Sequence, residues 1–500
     1  MESIFARIEK EVRSVGELSD DFQVEERVYA DNELRFAPGA MEGILGHHSV
    51  GKQTVDGFME QLKQYLSMSK ENAMNLFEKK TCDEIQIATI RKAILQEILD
   101  NKERYEARCL YEMGGYFVEN GTRCNTVKLG LTLLALFDLS DNDKICYILQ
   151  NLGYCEEFTD YVLMNTYEWE EKKKQDFYFE LAKKLKGWGK IDVVEMMEVD
   201  TEEKKTWILS HGCRNSIMYS YLGLVCAEKC DLYERLKRGG LTEEEFIGAT
   251  DIIDGLLEEG PCAGMSVLDK AAEVTMFYLE EVGRHSINIE LFALLHDIAE
   301  YFSDGNREIK GKEEVANKAG EMINYLDIDR LVLENLTEKT HSCIRMARMY
   351  NVDVAEQLLD LLKLDFGKYY TYSYYLFIED KYVDELMDIC DKTVKMELYP
   401  RKMGDSLGLG NLGDGIYQLD MIVQYLDRYP LKGKKLIEIS ICSPIIRWRN
   451  MAAKALIGWQ ERLNKPLHKI DKKLYKIVKK VVSKECNAST KEKWKELLVK

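Results

Sequence analysis

The amino-acid sequence predicts an all-α protein, built as a HEAT-like solenoid of helical repeats. Only 6 prolines occur in 500 residues, whereas about 5% proline is usual, and scarce proline is typical of helices joined by short turns. Segments with apolar residues spaced three and four apart recur along the chain and end at Gly, Asn or Asp. The chain is too long for one hydrophobic core, so it either divides into domains or grows by stacking units that contact their neighbours.

Residues 1–110 are predicted to form an N-terminal helical region with a loop rich in glycine and histidine. The first residues, MESIFARIEKEVRSVGE, have the pattern of a charged amphipathic helix without the apolar core of a signal peptide. The loop FAPGAMEGILGHHSVGK, at 36–52, contains the adjacent His47 and His48. Its end resembles a phosphate-binding loop, but Gln53 stands where Ser or Thr would hold magnesium, so we expect a turn there.

Residues 111–400 are predicted to contain the main series of repeats. The segments TRCNTVKLGLTLLALFDL, at 122–139, and CRNSIMYSYLGLVCAEKCDL, at 213–232, both begin with Arg, Cys and Asn and end at Asp-Leu. Helices of this length cannot bury an apolar stripe alone, so neighbouring helices must cover it. The charged segments 170–186 and 243–259 are the expected outer partners.

Two groups of potential metal ligands lie in the same part of the sequence. SINIELFALLHDIAEYF, at 286–302, is a looser repeat with the pair His296-Asp297, which resembles the metal-binding core of HD phosphohydrolases. That chemistry needs another His on an earlier helix, and the upstream segment VLDKAAEVTMFYL has none. We therefore expect a polar pair on a repeat helix. Cys226 and Cys230 share a helix face, and buried thiols are the simpler interpretation for them.

Residues 401–464 are predicted to hold a glycine-rich loop followed by C-terminal repeats. The helical pattern is clear in IIRWRNMAAKALIGWQERL, at 445–463. Within the loop GDSLGLGNLGDG, the residues Gly408, Gly410 and Gly413 match the G-x-G-x-x-G pattern of dinucleotide-binding proteins. In that fold the glycines let the backbone approach a pyrophosphate at a helix N-terminus.

The residues around the glycines leave two interpretations open. A helix is expected at 416–429, and LIEISIC, at 436–442, reads as a strand that carries Glu438 where an acid would bind a ribose. However, the preceding YPRKMGDSL does not have the pattern of the first strand that a nucleotide fold requires. The loop is therefore either a nicotinamide site or an ordinary helix breaker.

Residues 465–500 are predicted to form a basic C-terminal helix on an otherwise acidic protein. This segment contains 12 Lys and 4 acidic residues, so the remainder carries −26 of a total net charge of −18. An acidic body repels a phosphate backbone, so nucleic-acid binding is not expected. The longest apolar run, near 129–137, is shorter than the roughly 18 to 20 residues of a membrane span. The 13 cysteines, an odd number, favour free thiols in the cytoplasm.

At FAPGAMEGILGHH, together with the flanking N-terminal helix, the chain resembles a group of bacterial proteins named limonene hydroxylase. The resemblance covers most of the chain. It implies hydroxylation of limonene to carveol and perillyl alcohol, and dehydrogenation of these alcohols with NAD or NADP. The cofactor-binding candidates are then Gly408, Gly410, Gly413 and Glu438. His47 and His48 are the candidate catalytic residues, for proton transfer or metal binding.

A second hypothesis follows from the helical pattern alone. Activation of dioxygen requires a metal, haem or flavin, and the sequence has no signature of any of them. The chain is then a non-catalytic scaffold whose concave face binds a protein or peptide. In the enzyme hypothesis the same face would hold the apolar monoterpene.

Overall fold

The computed structural model describes residues 2–19, 22, 24, 36–47, 55–80, 82, 84–260, 262–408 and 412–499. Over these residues the chain is helical and contains no β-strand, which confirms the all-α prediction. An isolated parallel bridge joins Ser406 to Ile445. No helix in the described part of the chain is long and apolar enough to cross a membrane.

The α-helices follow one another with short connections. In chain order they are α1 Ile4–Val15, α2 Ala40–His47, α3 Asp56–Leu66, α4 Lys70–Lys80, α5 Ile87–Asp100, α6 Ala107–Asn120, α7 Cys124–Leu134, α8 Asp143–Gly153, α9 Thr159–Met164, α10 Glu171–Ala182, α11 Trp188–Met196, α12 Glu202–Trp207, α13 Gly223–Lys229, α14 Leu232–Arg238, α15 Glu243–Leu257, α16 Ala271–Val282, α17 Ile289–Ser303, α18 Lys312–Asn324, α19 Ile328–Asn335, α20 Thr340–Tyr350, α21 Ala355–Leu364, α22 Phe366–Tyr369, α23 Val383–Thr393, α24 Asp420–Val423, α25 Lys434–Ile441, α26 Ile446–Leu463, α27 Leu467–Ile470, α28 Lys472–Val481 and α29 Ala488–Val499.

Shorter helical turns occur between these helices. A π-helical turn, Ile208–Gly212, follows α12 directly. The 3-10 helices are Lys102–Arg104, Tyr219–Tyr221, Tyr370–Phe377, Asp380–Tyr382, Met396–Leu398 and Leu426–Arg428.

The chain divides into two compact units. Apart from the residues at the N-terminus, the first consists of the described residues of Phe36–Ser286 and Leu294–Met322, and the second of those of Ile287–Ala293 and Ile323–Lys500. The four-part division expected from the sequence remains a prediction.

Packing between consecutive helices organises the first unit. Helices α6 and α7 approach closely, because a Cβ on Gly130 would lie only 2.8 Å from the carbonyl oxygen of Gly114. Every residue of α7 from Thr126 to Leu134 is buried. Such a helix is covered on all sides and lies in the interior of the unit.

A long buried helix organises the second unit. Helix α26 covers most of the segment predicted to be helical at 445–463 and packs against α24, α25 and α29. Its Trp459 is fully buried and donates a hydrogen bond from Nε1 to the carbonyl oxygen of Leu426 at 2.7 Å. The guanidinium of Arg449, also fully buried, bonds both carboxylate oxygens of Glu485 at 2.7 Å.

The structure corrects the expected strand at 436–442. Residues 436–441 lie in helix α25 and Cys442 follows it, so Glu438 is a helical residue and the second strand of a nucleotide fold is absent at these positions. A short and mostly apolar segment does not distinguish a buried helix from a buried strand by its periodicity alone. Here Gly433 adopts a left-handed conformation directly before the helix, and Leu436, Ile437 and Ile441 pack inside the unit.

Three other expected helices are interrupted. In 213–232, the side chain of Asn215 accepts hydrogen bonds from the backbone of Ile217 and Met218, and this local pairing competes with helix formation. The expected helix at 416–429 is reduced to α24 and the 3-10 turn Leu426–Arg428. The basic C-terminal segment forms three helices, α27 to α29, because Asp471 caps α28 and ends the helix before it.

Candidate functional site

A cluster of buried charges occupies the interior of the first unit. Its side chains come from α2, α5, α7, α9 and α11, and from the turn before α9. Charged residues are rarely buried unless they are paired, and strongly shifted pKa values concentrate at functional sites. We therefore treat this ionic cluster as a candidate site. Its members are Glu42, Arg91, Lys128, Glu157, Asp160, Tyr161 and Asp192.

Helix α2 brings the first carboxylate into the cluster. It follows Gly39, whose φ of +74° is a conformation that favours glycine. A Cβ at Gly39 would lie 2.5 Å from the carbonyl oxygen of Glu156, and one at Gly43 would lie 2.1 Å from the Trp188 ring. The two glycines therefore allow α2 to lie directly against the start of α11. Glu42, between them, is buried.

Lys128 is the centre of the cluster. Its ammonium lies 2.6 Å from Glu42 Oε1 and 2.6 Å from Glu157 Oε1, and the hydroxyl of Tyr161 donates to Glu42 at 3.0 Å. Burial alone would lower the pKa of Lys128, but the charges of Glu157 and Glu42 outweigh it and raise that pKa well above its ordinary value. Lys128 therefore remains a cation.

A second ion pair lies beside the first. Arg91 contacts the carboxylate of Asp160, and its guanidinium lies 4.8 Å from the centre of the Tyr161 ring. Burial would lower the pKa of Arg91, and Asp160 raises it above the ordinary value. The Tyr161 ring thus lies close to both cations, since Lys128 lies 5.7 Å from the same ring centre. Burial, reinforced by Glu42, raises the pKa of Tyr161 and keeps its hydroxyl protonated.

Asp192, on α11, is the group in the cluster that titrates near neutral pH. Burial, and next the charges of Asp160 and Glu195, raise its pKa from 3.8 to about 8, against the opposing charge of Arg91. A carboxyl group with such a pKa is suited to proton transfer near pH 7.

The raised pKa of Asp192 makes the stability of the first unit depend on pH. The folded carboxyl binds a proton more tightly than the unfolded one, so the free energy of unfolding falls as pH rises from about 4 to about 8. Asp192→Asn removes this loss. We expect urea unfolding to show that the variant gains about 1–3 kcal/mol over the unmutated protein at pH 9 and little at pH 4. A difference independent of pH would contradict this assignment.

The adjacent Glu156 and Glu157 hold different parts of the site in place. Glu156 accepts hydrogen bonds from the backbone N–H groups of Lys186 and Gly187 at 2.7 Å, and of Gly189 at 2.5 Å, where α11 begins. Glu157 accepts the N–H of Gly39 at 3.0 Å, in addition to its contact with Lys128. The pair therefore fixes α2 and α11 relative to the ionic cluster.

The structure describes only part of the predicted catalytic pair. His47 is the last residue of α2, and its side chain lies outside the described residues, as does all of His48. Glu42, five positions before His47, is the titratable side chain that this segment contributes to the ionic cluster.

The predicted nicotinamide loop is bound to the start of α26. Gly408 has a φ of +73° and donates its N–H to Ser406 Oγ at 3.1 Å, while the carbonyl oxygen of Ser406 accepts the N–H of Ile446 at 2.9 Å. Gly413 also has a positive φ, of +91°, and Gly410 lies outside the described residues. The backbone of Ser406 thus caps the first turn of α26.

Glu438 forms an ion pair with a lysine of another helix. Its Oε2 lies 2.5 Å from the Nζ of Lys473, on α28. Since Glu438 lies in a helix and not at a strand end, the geometry that places an acid beside a ribose in a nucleotide fold is missing here. Whether these residues bind a cofactor stays a prediction.

A charged cleft is the second candidate site in the first unit. It has a volume of about 540 Å³, within the range of ligand-binding pockets. It lies between α12, α14 and the start of α15, and combines acidic and basic side chains. The residues that line it include Glu202, Lys205, Thr206, Asp231, Arg235 and Arg238.

A third group could hold a cation. His296, Asp297 and Glu300 present ligand atoms within 4.8 Å of one another. They come from a single helix, α17, and Glu300 is exposed. His296 Nε2 lies 3.7 Å from Glu300 Oε2. This contact between neighbouring turns is what an ordinary polar face of a helix shows, and it does not require a metal ion.

Comparisons with protein-family models, with curated proteins and with solved structures find no match to this chain. The sites are therefore interpreted from their own geometry.

Proposed function

We propose that this chain is a non-catalytic helical-repeat scaffold of HEAT-like type that binds a protein or peptide partner in the cytoplasm. The proposal rests on one observation: helices that follow each other in sequence pack as neighbours along the chain. Examples within single units are α3 with α4, α6 with α7, α10 with α11, α19 with α20 and α25 with α26. Series of paired helices of this kind commonly present extended binding surfaces.

The ionic cluster supports a structural role for the charges inside the first unit. Lys128 and Arg91 each contact carboxylates supplied by other helices. Buried pairs of this kind specify which elements pack together more than they add stability. None of the thirteen cysteines, all of which lie in the described part of the chain, forms a disulfide, and this favours a reducing compartment.

Isolation of the native complex tests the scaffold proposal. The tagged full chain, recovered from its own cells under gentle conditions, is expected to co-elute from gel filtration with one partner in fixed stoichiometry. An unrelated acidic helical protein with the same tag is the control. Elution of the chain at 58.0 kDa without any partner, over a range of growth conditions, would overturn the proposal.

A second candidate function is limonene hydroxylation with dehydrogenation of carveol and perillyl alcohol, as the resemblance implies. The observation that favours it is that the resembling segment, FAPGAMEGI, supplies Glu42 to a cluster with a titratable Asp192. In this proposal the apolar alcohol is the substrate, NAD or NADP accepts the hydride, and Asp192 accepts the hydroxyl proton.

Turnover by the purified chain separates the two functions. If the chain is the enzyme, carveol with NADP produces carvone and NADPH, and limonene with NADPH and dioxygen produces carveol and perillyl alcohol.

In the enzyme, Gly410→Val should abolish nicotinamide binding, because a side chain would block the approach of the pyrophosphate. Absence of all products in the purified chain would leave the scaffold.

A further inference from the structure

The charged cleft contains two basic side chains that make only weak contacts within the described chain. Arg238, at the end of α14, makes one bond, from Nε to the carbonyl oxygen of Glu234 at 3.4 Å. Lys205, on α12, forms an ion pair with Glu202 Oε1 at 3.8 Å, a separation that is too long for a hydrogen bond. Both side chains line the same cavity.

The third basic residue of the cleft is already engaged. Arg235 bonds both carboxylate oxygens of Glu245, at 3.1 and 2.8 Å, and the carbonyl oxygens of Gly239 and Gly240. Its guanidinium therefore shapes the wall between α14 and α15 and has little capacity left for a ligand. Lys205 and Arg238 are the groups available to an incoming anion.

One acidic side chain of the cleft is also available. Asp231 is exposed, and its carboxylate forms no hydrogen bond or ion pair with any residue that the structure describes. The hydroxyl of Thr206 likewise has no hydrogen-bond partner among them. The cleft thus offers two basic groups with weak contacts, together with one carboxylate and one hydroxyl that have no partner in the described chain.

We propose that this cleft binds a peptide segment that carries a carboxylate beside a basic side chain. Lys205 and Arg238 bind the carboxylate, Asp231 binds the ammonium or guanidinium, and Thr206 donates to the peptide backbone. This assignment rests on the scaffold function and names the chemistry of its partner. Asp231 and Glu202 disfavour a polyanion such as nucleic acid, because like charges at close range repel.

Calorimetry with the purified full chain tests the proposal directly. Four tetrapeptide amides serve as probes: alternating lysine and glutamate, all glutamate, all lysine, and all serine. The alternating peptide is expected to bind at least tenfold more tightly than the other three, and its affinity is expected to fall with added salt. Equal binding of the all-glutamate peptide would replace the proposal with a simple anion site.

Charge variants locate the binding. Arg238→Glu and Asp231→Lys are each expected to weaken the alternating peptide at least tenfold. Lys172→Glu, on the exposed face of α10, makes the same kind of charge change away from the cleft and should leave the affinity unchanged. Circular dichroism controls for folding. If all three variants bind like the unmutated chain, the cleft is not the site.

The outcomes separate this inference from the scaffold function. A native partner that still co-elutes with the Arg238→Glu variant would preserve the scaffold and remove the cleft as its binding site. A peptide that binds in the cleft of a chain without any native partner would preserve the site and overturn the scaffold.

Discussion

Lys128→Met is expected to lower the free energy of unfolding of the first unit by about 3–5 kcal/mol. The substitution keeps the length of the side chain but removes the cation that lies 2.6 Å from both Glu42 and Glu157. Glu42 then remains as a buried carboxylate with only the Tyr161 hydroxyl as a partner. Urea unfolding followed by circular dichroism measures the change.

An exposed ion pair provides the matched control for Lys128. Lys144 lies 2.7 Å from Glu119, and its side chain is 65% exposed, so Lys144→Met should cost at most about 1 kcal/mol. Adding Glu42→Leu to Lys128→Met removes the orphaned carboxylate and should restore part of the loss. Equal effects of the two lysine variants would show that burial does not govern the pair.

Arg449→Met is expected to destabilise the second unit by a similar amount, about 3–5 kcal/mol. Arg449 and Glu485 are both fully buried, with side chains 0% exposed. The guanidinium also bonds the carbonyl oxygens of Ser443 and Pro444, at 2.8 and 2.9 Å. The variant therefore leaves a buried carboxylate and two carbonyl oxygens without this donor.

The surface pair of Arg330 and Glu334 controls for the loss of an arginine. Arg330 Nε lies 2.7 Å from Glu334 Oε1, and the Arg330 side chain is 71% exposed. Arg330→Met should therefore change the free energy of unfolding by less than about 1 kcal/mol. Hydrogen exchange at α26 and α29 should increase in Arg449→Met and not in Arg330→Met. Unchanged exchange at α26 in both variants would contradict a structural role for the buried pair.

The helical class was predictable because it depends on patterns that are local in sequence. Scarce proline and apolar spacings of three and four identify α15, α17 and α26 without knowledge of their neighbours. The expected strand at 436–442 was wrong for the converse reason. The segment is short and mostly apolar because five of its residues from Leu436 to Ile441 are buried, and only its neighbours in the fold determine that it is a helix.

The ionic cluster could not be predicted, because its members are far apart in sequence. Glu42 and Lys128 are separated by 86 positions, and nothing in either local segment indicates the other. One signal was present: Lys128 interrupts the apolar run TVKLGLTLL, where an unpaired cation would be costly. The charged cleft gave no such signal, since its lysine and arginine residues look like ordinary surface residues of charged helices.

The position of Glu42 also constrains the order of events during synthesis. Glu42 leaves the ribosome long before its partners Lys128 and Tyr161, which lie 86 and 119 residues later. Until they emerge, no cation is present to offset the free-energy cost of burying the carboxylate. Helix α2 must therefore dock after α7 and α9 have formed. Helix α2 therefore reaches its final position later than α7 and α9, although it is synthesised before them.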